Sequence, residues 1–458
     1  MTMAQTPASA PVTTQAGAAL GHGIEQHTLA NGMQVIIKPD HRAPTAVHMV
    51  WVRVGSMDEV DGKTGIAHVL EHMLFKGTET LAPGEFSRRV AALGGRENAF
   101  TSKDYTGYFQ MIPAQRLPDV MRLEADRFAH NRWSDEEFAK EIEVIKEERR
   151  MRTEDVPRAA LQEQLAAVQF SASPYRRPII GWMNDLDHLR PDEVRQFFKQ
   201  WYVPGNATVV VVGDVDPKQV LSWAQDIYGP LTGASVPERK PRVEPEQKGL
   251  RRLQFKAPAE QSYLTLSWKV PGLESLTPSA QTTDALALTV LSAVLDGYGG
   301  ARLDRNLTQG AQRVADSAGA YHDLSARGPK VFVLDGVPAP GKTLDQLEQA
   351  LRAQIERIAR EGVKEDELRR VKTQWTAAQV YGRDSLFNQA REIGTWWIEG
   401  LPLDTSDRLI DLLQAVTAQQ VQEVARKYFG DDTLSVAHLL PQPIQSGSKP
   451  RPALNIRH

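Results

Sequence analysis

The residues with the most chemical potential in the chain are His68-Val69-Leu70-Glu71-His72. Ile66, Val69, Leu70, Met73 and Leu74 recur with a helical period, so the spacing predicts a helix over Gly65–Phe75. Residues four apart on a helix share one face, about 5–6 Å from each other. Both imidazoles and the carboxylate between them then project together. Two histidines so placed can chelate one Zn²⁺, whose shell is tetrahedral and takes nitrogen and oxygen donors. Glu71 would lie beside the ion without being forced onto it, where a general base belongs. The order is the inverse of the H-E-x-x-H pattern. The bland alternative is a solvated helical face that happens to carry two histidines.

A catalytic zinc site takes three protein ligands and leaves a fourth position open. The run Lys140-Glu141-Ile142-Glu143-Val144-Ile145-Lys146-Glu147-Glu148-Arg149 falls on a helix predicted over Ser134–Thr153, with Glu141 and Glu148 on one face. By itself such a run reads as a charged surface helix, and Glu143 and Glu147 are assigned to that role. The remaining histidines, including His130, His188, His322 and His438, have no ligand-like spacing and read as structural or surface residues.

The surrounding elements form two halves. In the first, Asn31-Gly32 is a turn between two β-favouring runs, and Val47–Val54 is a strand. Val50, Val52 and Val54 line one face of that strand and Val47, Met49 and Trp51 the other, so both faces are expected to be covered. Further helices are predicted at Pro83–Leu93, Leu117–Asn131 and Pro157–Phe170, and strands at Asn98–Thr101, Tyr105–Ile112 and Thr208–Val212. A Pro-, Gly- and charge-rich stretch at 231–248 then reads as a linker. Beyond it come strands at Tyr263–Val270 and Val331–Leu334, and helices around Ala285–Leu295, Leu344–Glu361, Glu365–Tyr381 and Ala418–Tyr428. Each half ends in an amphipathic helix, an aromatic pair, a turn and a strand, with Tyr202 and Tyr428 226 positions apart. The expected fold is α+β: two similar α/β-sandwich halves, each an antiparallel-rich sheet with helices packed on it, forming a half-shell. The expected division is a flexible segment at 1–22, a zinc-bearing catalytic domain at 23–230, the linker, a second homologous domain at 249–445 and a tail at 446–458.

The 458 residues carry 54 basic and 57 acidic side chains and no cysteine. A disulfide framework, a thiolate metal site and a cysteine nucleophile are thereby excluded. A net charge of −3 gives no global reason to bind nucleic acid. No apolar run approaches the 18 or more residues that span a bilayer. The start, rich in Ala, Thr, Pro and Gln and nearly uncharged, lacks the regions of a signal peptide. It reads as the beginning of a mature exported protein, which makes periplasm the expected location.

These residues resemble the pitrilysin/insulinase family of zinc peptidases, and within it mitochondrial processing peptidase and its bacterial two-subunit relatives. In that family H-x-x-E-H is followed some 75 residues on by a glutamate ligand, and 75 residues separate His72 from Glu148. The flanking stretches agree: Phe75-Lys76-Gly77-Thr78, Leu93-Gly94-Gly95 with Asn98-Ala99-Phe100-Thr101, Pro174-Tyr175 with Gly181, and Trp201-Tyr202-x-Pro204-x-Asn206. The resemblance implies His68, His72 and Glu148 as ligands of one Zn²⁺ per chain, and Glu141 as a supporting glutamate that orients a ligand from behind. It implies Glu71 as the general base in hydrolysis of peptides or unfolded segments inside a chamber. Asn98, Ala99 and Phe100 become the edge strand on which a peptide lies as an added strand.

One departure stands out. Complete relatives carry an Arg, and a Tyr seven residues later, after a glycine-rich turn, as donors to the developing oxyanion. Counting on from Gly297-Tyr298-Gly299-Gly300-Ala301-Arg302-Leu303 puts Thr308 and Ala315 at those places, with Arg313 and Tyr321 nearby but out of register. The resemblance then implies a heterodimer with a similar, zinc-less subunit that carries the Arg/Tyr pair. The competing class is a non-catalytic core or assembly subunit of the same fold.

Overall fold

The structure, a computed structural model, describes residues 23–444 and the backbone of residues 19–20. Apart from those two residues, the expected flexible start (1–22) and tail (446–458) lie outside the described residues.

Two sheets organise the chain. The first is built from β1 (Ala19–Leu20), β2 (Ile24–Thr28), β3 (Gln34–Pro39), β4 (Thr45–Val52), β5 (Arg96–Thr101), β6 (Thr106–Pro113) and β7 (Ala207–Gly213). The second contains β8 (Arg251–Pro258), β9 (Tyr263–Val270), β10 (Ala315–His322), β11 (Lys330–Pro338) and β12 (Leu434–Gln442). Read from one edge, the first runs β5-β6-β4-β7-β3 before β2 and β1 are added, and the second runs β10-β11-β9-β12-β8. In each series only the last pair, β7 with β3 and β12 with β8, is parallel. The chain thus uses one strand order twice, which bears out the expectation of two similar halves.

The helices follow the same plan. The first half has α1 (Ile66–Met73), α2 (Glu85–Ala92), α3 (Leu117–His130), α4 (Asp135–Arg149), α5 (Pro157–Gln169), α6 (Met183–His188), α7 (Pro191–Trp201) and α8 (Pro217–Ile227). The second has α9 (Ala280–Asp296), α10 (Leu344–Glu361), α11 (Glu365–Gly382), α12 (Leu386–Glu399), α13 (Thr405–Ala415) and α14 (Ala418–Lys427). Both faces of β4 are covered, as its continuous apolar run requires. Val50 and Val52 join the core under α1, α3 and α7, while Val47, Met49 and Trp51 face the other way.

What covers that other face comes from the opposite half. Ala390, Ile393 and Ile398 of α12 pack on Ile36, Val47, Met49, Trp51, Val210 and Val212. The approach is so close that a Cβ on Gly394 would overlap the Trp51 indole. Reciprocally, Leu161 and Leu165 of α5 pack on Tyr263, Val337, Ala437 and Leu439 of the second sheet. The halves therefore exchange equivalent helices.

Residues 231–248 form neither helix nor strand, yet they are tied down. The Glu244 carboxylate accepts the backbone N–H groups of Ser171, Ala172 and Ser173 at 2.8–2.9 Å and the Lys269 ammonium at 2.8 Å. One side chain thus joins a first-half loop to a second-half strand.

Candidate active site

Helix α1 is buried all round: all eight of its residues are buried, including His68, Glu71 and His72. Such a helix needs its termini satisfied from within the protein. Its first turn is capped by a distant carboxylate, since Glu59 accepts the N–H groups of Gly65 at 2.9 Å and Ala67 at 3.0 Å. Gly65 has φ +86°, and a Cβ there would meet the Ile180 carbonyl at 2.6 Å, so glycine lets the 178–181 loop press on the helix start. Helix α4 begins at Ser134, whose hydroxyl accepts the Glu137 N–H at 3.1 Å, with Asp135, Glu136 and Glu137 in the first turn. Its buried stripe is Phe138, Glu141, Ile142, Ile145, Glu148 and Arg149. Two glutamates on the core-facing side of an amphipathic helix are the anomaly, because glutamate is almost never buried unless paired.

Both face the histidines. His72 Nε2 lies 3.4 Å and His68 Nε2 3.7 Å from Glu148 Oε2. Bonds of about 2.1 Å to a tetrahedral zinc place ligand atoms about 3.4 Å apart. The donor set, two imidazole nitrogens and one carboxylate oxygen all within 4.8 Å of one another, therefore fits a zinc ion. Behind it, Glu141 Oε1 lies 2.8 Å from His72 Nδ1, and Lys76 Nζ lies 2.5 Å from Glu141 Oε2. That chain orients the imidazole so that Nε2 points inward. Glu71 accepts a hydrogen bond from the Thr101 hydroxyl of β5.

The electrostatics match an acid–base centre. Burial pushes the Glu71 carboxyl up to about 7, with the Glu148 charge adding to the rise and Thr101 and His72 opposing it. Burial pulls His72 down, but Glu141 and Glu148 outweigh it and hold the imidazole at about 9. A cation captured between these groups displaces protons. Burial also raises Glu148, yet His72, His68 and Arg152 together bring it down to about 2.

A cleft of about 470 Å³ opens over these groups, lined by His68, Glu71 and Glu148 on one side and by Asn98, Ala99 and Phe100 on the other. Among the described residues β5 pairs only with β6 and is the sheet edge, and its Asn98–Thr101 stretch lines the cleft. Sequence reasoning singles out His68, Glu71, His72, Glu141, Glu148 and the Asn98–Phe100 strand, and all of them converge here. It misses the roles of Lys76, Thr101, Glu59 and Arg152. Lys76 lies one turn beyond His72 and Arg152 one turn beyond Glu148, a spacing that offered a local clue.

In the second half, Thr308 donates to Asp304 at 2.6 Å, and Ala315 is fully buried in the second core. Arg313 pairs with Asp316 at 3.1 Å, and Tyr321 stands half exposed on β10. Asp345, Glu348 and His438 also offer donor atoms within 4.8 Å, a grouping that spacing alone does not suggest for His438. There, however, both Glu348 oxygens are held by Arg252 at 2.8 Å.

Two family models divide the chain between them: residues 34–182 match Insulinase (Peptidase family M16), and residues 188–375 match the Peptidase M16 inactive domain. The zinc protease PqqE of Helicobacter pylori is 28% identical over 422 residues, covering 91% of this chain and 93% of that protein. The probable mitochondrial-processing peptidase subunit beta of Arabidopsis thaliana is 24% identical over 432 residues, covering 90% and 78%. The crystal structure of a protease from Helicobacter pylori superposes with a TM-score of 0.85 at 27% identity, covering 91% of this chain and 99% of that one. The periplasmic protease PqqL of Escherichia coli gives 0.80 at 21% identity, covering 93% of this chain but 48% of its own. Two similar halves with a peptidase-like fold define the class. The chain belongs to peptidase family M16, the insulinase family.

Proposed function

We propose that this protein is a zinc-dependent endopeptidase that cleaves peptides or unfolded polypeptide segments inside a chamber. The observation that carries the reading is the convergence of His68 Nε2, His72 Nε2 and Glu148 Oε2 beside the buried carboxylate of Glu71. One zinc bound by these three residues supplies a Lewis acid that polarises a carbonyl and acidifies water. The protein's own residues do the rest. Glu141 and Lys76 hold His72 in position. Thr101 holds Glu71, whose raised pKa suits a base that accepts a proton near neutral pH and passes it to the leaving amine. The edge of β5 at Asn98, Ala99 and Phe100 receives the substrate as an added strand through backbone bonds, which tolerates varied sequence.

Donors for the oxyanion are the missing part, since Thr308 and Ala315 stand where the family's Arg and Tyr are expected. A partner subunit of similar fold, zinc-less and carrying that pair, supplies them in this reading. The length of the Escherichia coli structure, about twice this chain's span within it, fits two such units working together. Periplasm is the proposed location, by analogy with the periplasmic protease of Escherichia coli that shares the fold.

Elemental analysis of the chain purified from its native source, with any partner identified by mass spectrometry, tests the whole reading. One zinc per chain is expected. Glu71→Gln is expected to keep the zinc and the fold and to lose peptidase activity by about 10²- to 10⁴-fold. A Glu71→Gln complex as active as wild type would overturn the assignment. The isolated chain is expected to be weakly active, and addition of the similar subunit to raise its activity sharply.

A further inference from the structure

We infer that Arg152 is a positioning residue for the metal site: it holds one oxygen of Glu148 and leaves only the other to face His68 and His72. The inference rests on the zinc-site reading above. Arg152 Nη1 lies 2.6 Å from Glu148 Oε1, while Glu148 Oε2 is the atom 3.4 Å and 3.7 Å from the two imidazoles. Oε1 thus faces the guanidinium and Oε2 the two imidazoles. Glu148 is fully buried, whereas the Arg152 side chain is 65% exposed and reaches in from solvent along the cleft.

Arg152 follows Glu148 by four residues, so the two side chains share one face where the helix ends. After α4 the chain widens into one π-turn over Arg150–Glu154, closed by Asp155 N–H to the Arg150 carbonyl at 2.7 Å. Such turns are rare and recur at functional sites. Three arginines at this end of the helix engage carboxylates, and no two of them share one. Arg149 forks onto Glu163 at 2.7 and 2.9 Å and ties α4 to α5. Arg150 pairs with Glu147 at 3.0 Å, where both side chains are about a third exposed. Only Arg152 engages a carboxylate inside the metal-site cluster, and among the described residues it makes no second ion pair. A surface pair at this spacing contributes little and requires no buried partner. Here the partner is the candidate ligand.

The consequence is chemical. A carboxylate can grip a cation with one oxygen or with both. A three-ligand zinc site works by keeping a position open, and a two-oxygen grip by Glu148 crowds it. A permanently charged guanidinium on Oε1 prevents that grip while leaving Oε2 in place.

Cobalt(II), loaded into the full chain in place of zinc, reports the difference, because its visible bands are intense when four-coordinate and weak when five-coordinate. Wild type and Arg152→Lys, which keeps the charge, are expected to hold one cobalt per chain with intense bands. Arg152→Gln and Arg152→Ala are expected to hold one cobalt with a loss of band intensity, as both Glu148 oxygens engage. The side chain is largely exposed, so either neutral variant serves if circular dichroism shows it folded. Bands unchanged in a fully loaded, folded neutral variant overturn the role of Arg152 alone. A wild-type chain that takes up no cobalt or zinc overturns the metal-site reading itself, and this assignment with it.

Discussion

The two halves share a strand order and differ in what they bury. After β4 the first half places α1, whose buried residues include two histidines and a glutamate. After β9 the second places α9, whose buried residues are Ala285, Leu286, Ala287, Leu288, Val290, Leu291, Val294 and Leu295, with Thr282 at its start. The second half is an internal control: the architecture closes well around an apolar helix. Burying ionisable groups without need costs stability. The first half therefore keeps His68, Glu71, His72 and Glu148 inside for a reason other than holding the sheet together. The exchanged helices differ too. Helix α12 meets Trp51, Met49 and Val47, whereas α5 meets a mixed face, with Gln162 bonded to Thr265 at 2.9 Å and Gln169 to Ser267 at 2.7 Å.

The contrast can be broken or sharpened by substitution. The largest effect is expected from His72→Ala, which should abolish stoichiometric zinc in elemental analysis. A variant that retained one zinc per chain would remove the distinction between α1 and α9. Next, Trp51→Ala should lower stability by about 3–5 kcal/mol in urea unfolding, because it empties the centre of the apolar interface. Glu141→Gln should weaken zinc binding by about 10- to 100-fold in chelator competition, since His72 loses the group that orients it. On the polar interface, Ser267→Ala should cost only about 1 kcal/mol in the same unfolding assay. Equal losses from Trp51→Ala and Ser267→Ala would show that the two exchanged helices are held alike.

The smallest effect concerns the strap between the halves. Burial raises Glu244, but Lys269 and the three loop N–H groups outweigh it and bring the carboxyl down to about 2. The unfolded chain protonates this group in the ordinary carboxylate range, so it binds more protons than the folded chain between there and about pH 2. The stability Glu244 contributes is present above the ordinary carboxylate pKa and is lost as pH falls through that window. Glu244→Gln should flatten this part of the acid-unfolding profile, measured by circular dichroism.

Much of this was legible in the residues. The period of Ile66, Val69, Leu70 and Met73 marks α1, and the β4 valines and Trp51 announce a strand covered on both sides. The distance from His72 to Glu148 becomes meaningful through the family resemblance, because one helical run looks much like another. Other features depend on partners far along the chain. β10 (Ala-Asp-Ser-Ala-Gly-Ala-Tyr-His) is built of weak strand formers and exists as an edge paired to β11. β8 alternates half-buried and exposed residues beside β12. The apolar side of α12 makes sense only once the first sheet lies under it. Lys76, Thr101 and Arg152 gain their roles from carboxylates that folding delivers.

The reciprocal placement of α5 and α12 has a consequence for synthesis. On the ribosome, the outer side of the first sheet is complete once Gly213 has emerged, but the helix that shields it ends only at Glu399. For the nearly two hundred residues in between, Trp51, Met49 and Val210 form a bare, sticky surface on an otherwise finished sheet. A nascent chain stalled within that interval is expected to recruit holdases or aggregate, whereas release of the whole polypeptide seals the patch from within.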